Sequence, residues 1–128
     1  MKAVILLAYE FPPLNVGGSQ RPYRFARYLK DAGYYPIVIT PQPELHGGRI
    51  DPYFQDSDIS PEICRIVRTG LGVPRHGRLK RSGYLSIVGD EAKRWRDYCI
   101  ENVLKISESY DVVAVITTVP PFSVAGLG

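Results

Sequence analysis

Gly17-Gly18-Ser19-Gln20-Arg21 is the stretch of this chain whose residue types and spacing best suit chemistry. Two adjacent glycines let a backbone approach a ligand closely, and a serine at a helix start leaves free N–H groups just behind it. Arg21, in the first turn of that helix, can reach forward as a bidentate donor. The combination favours an anion such as a phosphate, held at the positive end of a helix. The same residues also read as an ordinary loop followed by a solvated arginine. Glu10, just past the first apolar run, can orient a hydroxyl or simply face water. Thr118, Pro120 and Ser123 stand in a second proline-containing loop, which follows a later apolar run.

Other catalytic signatures do not occur. No G-x-G-x-x-G follows the first apolar run, no G-x-x-x-x-G-K-[ST] phosphate loop exists, and the serine-nucleophile pattern G-x-S-x-G is missing. His46-Gly47-Gly48 lacks an accompanying nucleophile and reads as a flexible turn. The basic loop 75–81, Arg75-His76-Gly77-Arg78-Leu79-Lys80-Arg81, suits either solvent or a peripheral contact with anionic lipid or a phosphorylated acceptor. Cys64 and Cys99 make no disulfide framework and lie outside metal-ligand spacing of each other and of His46 or His76, so no metal or cofactor is expected. Reduced thiols and the lack of a signal-like leader in the first residues point to a cytoplasmic protein.

These residues need a scaffold, and 128 residues with 45% apolar and 23% charged content suffice for one globular domain. Sixteen Lys and Arg against 13 Asp and Glu leave a net charge of +3, too weak and dispersed for a dedicated nucleic-acid binder. Residues 3–8 form a continuous apolar run, as in a central strand covered on both faces. An amphipathic helix follows the Gly-Gly pair, with Pro22, Phe25, Ala26, Leu29, Ala32 and Gly33 inside one arc of about 120°. Gly33 is placed to end it, and residues 35–40 read as a second strand. Residues 41–61 read as a long excursion, 63–67 as a third strand and 70–83 as loop. From about Asp90 to Ser107 a second helix is expected, with Ala92, Trp95, Cys99, Val103 and Ile106 inward and Ile100 and Leu104 widening that face. Residues 112–117 read as a fourth buried strand, and a further helix begins near the end, so the chain reads as a fragment. The expected fold is α/β, a Rossmann-like parallel sheet flanked by helices, with both loops at one sheet edge.

Phe11-Pro12-Pro13, Gly17-Gly18-Ser19, Arg21, Phe25-Ala26-Arg27-Tyr28-Leu29, Gly33 and Val38-Ile39-Thr40 resemble the opening of family 4 glycosyltransferases of the GT-B fold. Asp111-Val112-Val113 and the stretch from Thr117 to Ser123 resemble that family's later strand and its proline-containing turn. The likeness runs in order along nearly the whole chain, loosely over 44–89. It implies a retaining enzyme that moves a sugar from a nucleotide-sugar donor to a saccharide or lipid-linked acceptor, with this chain as its amino-terminal half. The donor pocket and an E-x7-E element would lie in a carboxyl-terminal domain. Gly17 and Gly18 would lie beside the donor diphosphate, with Ser19 and Arg21 in support, and Thr118, Pro120 and Ser123 would line the opposite lip of the cleft. The histidine that many relatives carry after the turn has no counterpart in Val124-Ala125-Gly126. The alternative is a non-catalytic nucleotide-binding or regulatory module that uses the same loop.

Overall fold

The computed structural model describes residues 1–15, 18–46, 49–54, 59, 61–71 and 95–118. Four strands, β1 (Lys2–Leu7), β2 (Tyr35–Pro41), β3 (Arg65–Thr69) and β4 (Asp111–Thr117), form one sheet in the order β3-β2-β1-β4. Every pairing in it is parallel. The fold is therefore α/β and Rossmann-like, with β1 central and the strand order reversing between β1 and β4.

The uninterrupted apolar character of β1 follows from cover on both faces. Ala3, Ile5 and Leu7 face one core with Ile37, Ile39, Trp95, Cys99 and Ile106, while Leu6 and Ala8 face the other with Phe11, Val38 and Ala26. Helix α1 (Gln20–Asp31) supplies Ala26 to the second core, and the helix Arg96–Ser109, here α3, supplies Cys99 and Ile106 to the first. The two helices thus lie on opposite faces. Cys64 and Cys99 fall in different cores and are both free thiols. Burial pushes Cys64 up to about 11 and raises Cys99 as well, so both stay neutral and unreactive near neutral pH.

Helix α1 ends as the sequence indicates. Gly33 adopts φ 91°, its N–H donates to Lys30 O (3.0 Å), and the N–H of Tyr34 donates to Leu29 O (3.0 Å). Both bonds of a Schellman motif are present, and the left-handed residue is one that carries no Cβ. The packed face of α1, by contrast, is rotated from the expected arc. Pro22 and Ala26 are buried and Tyr23 packs edge-on against Phe11 (6.4 Å, 68°), whereas Phe25, Ala32 and Gly33 are exposed. The reason is the aromatic contact with Phe11, which draws Tyr23 inward and turns Phe25 out.

Three other expectations need correction. Strand β3 lies two residues later than 63–67, and it accommodates Arg65 and Arg68 by laying their guanidinium groups over Tyr110 and Phe11, each 5.8 Å from the ring centroid. In α3 the buried stripe is Trp95, Cys99 and Ile106, with Val103 partly covered. Ile100 and Leu104 stand outside it at 44% and 63% exposure, since a helix on a single sheet buries only about a third of its circumference. Strand β4 is a half-open edge rather than a buried strand. Its register against β1 slips between Ala3 and Val4, leaving Val113 without a β1 partner, and both Val113 and Val115 are exposed.

The excursion after β2 contains a single helical turn, α2 (Pro43–His46), that its proline-rich sequence does not suggest. Phe54 and Ile59 return from this excursion to the core beneath α1. The basic loop 75–81, with His76, lies outside the described residues, as do residues 90–94 of the expected second helix and everything after Thr118. Among the described residues no helix is long and apolar enough to cross a membrane.

Candidate functional site at the carboxyl edge of the sheet

The strand-order reversal puts the end of β4 directly beside the end of β1. Leu7 O accepts from the backbone N–H of Thr118 (3.1 Å) and from its hydroxyl (3.4 Å), while on the other side Ala8 N–H donates to Ile39 O (3.0 Å). The two loops singled out in the sequence therefore leave the sheet from adjacent strands at one edge, which is where ligands bind in open α/β sheets. Thr118 is one of the expected residues and lies at this edge. Gly17, Pro120 and Ser123 lie outside the described residues.

The loop from β1 to α1 is held from three sides. Its own turn is closed by Leu14 N–H to Phe11 O (3.1 Å), and the Pro12–Pro13 peptide within it is cis. Residues 49–51 of the excursion run antiparallel to it: Asp51 N–H donates to Pro13 O (2.7 Å), Asn15 N–H donates to Arg49 O (2.6 Å), and Leu14 bridges Ile50. From β3, Arg68 donates through Nη2 to Pro12 O (2.5 Å) and through Nη1 to Pro41 O (3.5 Å), its guanidinium lying over the Phe11 ring. The long excursion thus serves the loop. Arg68 was not singled out in the sequence; the available signal was an arginine inside a strand that otherwise feeds the core.

Arg68→Met keeps an apolar stem against Phe11 but removes both donors from two backbone carbonyls. It should cost about 1–3 kcal/mol, read by urea unfolding. Hydrogen exchange at the Asn15 and Asp51 amides should also quicken relative to the β1 core. Unaltered exchange at those two amides would show that the backbone bonds hold the loop without the arginine.

Ser19 is the N-cap residue of α1, as expected, but its capping role is not. Its backbone is already helical (φ −74°, ψ −32°), and its side chain makes no cap hydrogen bond, because a helical N-cap does not aim the hydroxyl at the N–H groups ahead. The hydroxyl is wholly buried and meets no hydrogen-bond partner among the described residues. Thr40, at the end of β2, has a buried hydroxyl in the same condition. Arg21 lies exposed in the first turn of α1, in the position expected.

Gly18 leaves space, but for a different use from the one the sequence suggests. A Cβ built on it would collide with Oε2 of Glu10, so the missing side chain makes room for a carboxylate of the chain itself. Gly18 does not adopt a left-handed conformation. Glu10 is half-exposed, and its carboxylate rests against the residue that precedes the N-cap of α1. Glu10 thus lies against Gly18, the residue before the Ser19 N-cap of α1, and Thr118 bonds the end of β1 at the same sheet edge.

The opposite edge of the sheet is closed by side chains. Tyr35 stacks on Tyr110 (6.0 Å, 19°), and Arg65 lies over Tyr110 while donating to its hydroxyl (3.1 Å). Burial pushes the Tyr35 phenol up. An open groove of about 470 Å³ runs along β4, lined by Tyr110, Asp111 and Val112 among others. It is the uncovered flank of an edge strand and does not touch Glu10. Among the described residues no group of His, Cys, Asp or Glu is arranged to hold a metal ion.

No family model, curated protein or solved structure matches this chain.

Proposed function

We propose that the chain is the amino-terminal, acceptor-side domain of a retaining glycosyltransferase of the GT-B fold, acting in the cytoplasm on a nucleotide-sugar donor and a saccharide or lipid-linked acceptor. The observation that carries the reading is the strand-order reversal between β1 and β4, which starts the loop leading to Gly18, Ser19 and α1 and ends β4 at Thr118 on the same edge of the sheet. When a glycosidic bond to a nucleoside diphosphate breaks, negative charge builds on the departing diphosphate. Fixed N–H groups at a helix start are suited to stabilise it, because they need no reorganisation as the charge develops. Arg21, one residue into the helix, adds a full positive charge. Gly17, Pro120 and Ser123 keep the roles that the resemblance implies. The nucleoside and sugar would be gripped mainly by a second domain across the cleft.

Two measurements test this reading. The reading frame beyond the Gly128 codon should encode a further domain carrying an E-x7-E spacing. A titration of the 128-residue chain with a nucleoside diphosphate, followed through backbone amide shifts, should give weak binding of about 1 mM centred on Gly18, Ser19 and Gln20. Micromolar binding by this chain alone would instead assign it to the nucleotide-binding modules. Binding elsewhere on the surface would remove the role of α1.

A further inference from the structure

The contact between Glu10 and Gly18 bears on what the helix start can accept. The beginning of α1 attracts negative charge, and its first turn contains no acidic residue. Ser19, at that same point, keeps a wholly buried hydroxyl with no hydrogen-bond partner among the described residues. The negative group that does lie there comes from the loop: the Glu10 carboxylate, fitted into the space that Gly18 leaves.

We propose that Glu10 sets the selectivity of this site by holding the anion position in the empty chain. Small free anions, inorganic phosphate and pyrophosphate, are disfavoured because they must enter beside a like charge or displace it. A ligand whose diphosphate is part of a larger molecule has further contacts with which to turn the carboxylate aside. Glu10 has three side-chain torsions and a half-exposed path to solvent, so the displacement requires no backbone movement. This inference rests on reading the edge as a phosphate site, and it adds to that reading the residue that separates a bare anion from a nucleotide-bound one.

The test is a pyrophosphate titration of the 128-residue chain and its Glu10→Gln variant, read by the amide shifts of Gly18, Ser19 and Gln20. Glu108→Gln, on the exposed surface of α3, serves as a control for total charge. Glu10→Gln should bind pyrophosphate about fivefold more tightly than the parent, the effect of removing one partly screened like charge at close range. The gain should shrink as salt is raised, and thermal unfolding should be unchanged. Equal affinity in parent and Glu10→Gln, or an equal gain in Glu108→Gln, would overturn the selectivity role while leaving the phosphate site standing. Absence of any shift at Gly18, Ser19 and Gln20 in all three proteins would overturn the phosphate site and this inference with it.

Discussion

Trp95→Ala should lower the stability of the chain by about 3–5 kcal/mol, the range for emptying a buried aromatic position. Trp95 is among the largest side chains with no exposure, and its ring packs tilted against Tyr9 with centroids 5.8 Å apart. Its Nε1–H donates to the hydroxyl of Thr69 (2.8 Å), joining the start of α3 to the end of β3. Alanine would leave a cavity between helix and sheet and remove the donor that Thr69 meets there. A domain of this size has about 5–15 kcal/mol in total, so the variant should be partly unfolded at physiological temperature. Trp95→Phe separates the two contributions: it keeps most of the ring and should lose about 1–2 kcal/mol. Urea unfolding followed by circular dichroism gives both values, and a loss below about 1 kcal/mol for alanine would mean that the core closes over the gap. Because Tyr9 adjoins Glu10, the same variant should also broaden the amide signals of the loop.

Gly18→Val should do the reverse, sparing stability and removing function. The atom that a side chain at Gly18 would strike is the far end of a flexible, half-exposed glutamate, and the backbone there is not left-handed. The chain should therefore stay folded, within about 1 kcal/mol of the parent. The isopropyl group, however, would stand over the first N–H groups of α1, where a diphosphate would have to come close. Binding of a nucleoside diphosphate should weaken by about tenfold or more, equivalent to roughly 1.4 kcal/mol or more. Turnover by an enzyme that contains this domain should fall accordingly. Unchanged binding at the Ser19 and Gln20 amides, with the fold intact, would remove Gly18 from the site.

Local patterns made much of the scaffold legible. The apolar run of residues 3–8 was enough to identify a doubly covered central strand, since only a strand with helices on both faces can bury consecutive side chains. Gly33 marked the end of α1 because its backbone conformation is one that other residues resist. The candidate loop was legible only as a position. Its glycine is visible, but nothing in the sequence pairs it with Glu10, which reads there as a loop carboxylate that can orient a hydroxyl or face water. The capping role assigned to Ser19 failed because a cap depends on backbone angles that residue type alone does not set.

The order of the four strands and of the helices α1 and α3, the centrality of β1 and the placing of two loops at one sheet edge were determined by the sequence itself. They follow from hydrophobic period, turn chemistry and the parallel βαβ rule, all of which act within or between neighbouring segments. Only the tertiary structure decided how that edge is held and what occupies it. Arg68 grips a carbonyl 56 positions earlier, residues 49–51 line the loop from a segment that reads as an irregular excursion, and Glu10 fills the space beside Gly18. No local pattern links these residues. Their contacts exist only after the sheet has brought the strand ends together, where a backbone carbonyl or a few cubic ångströms of space take whichever distant side chain fits.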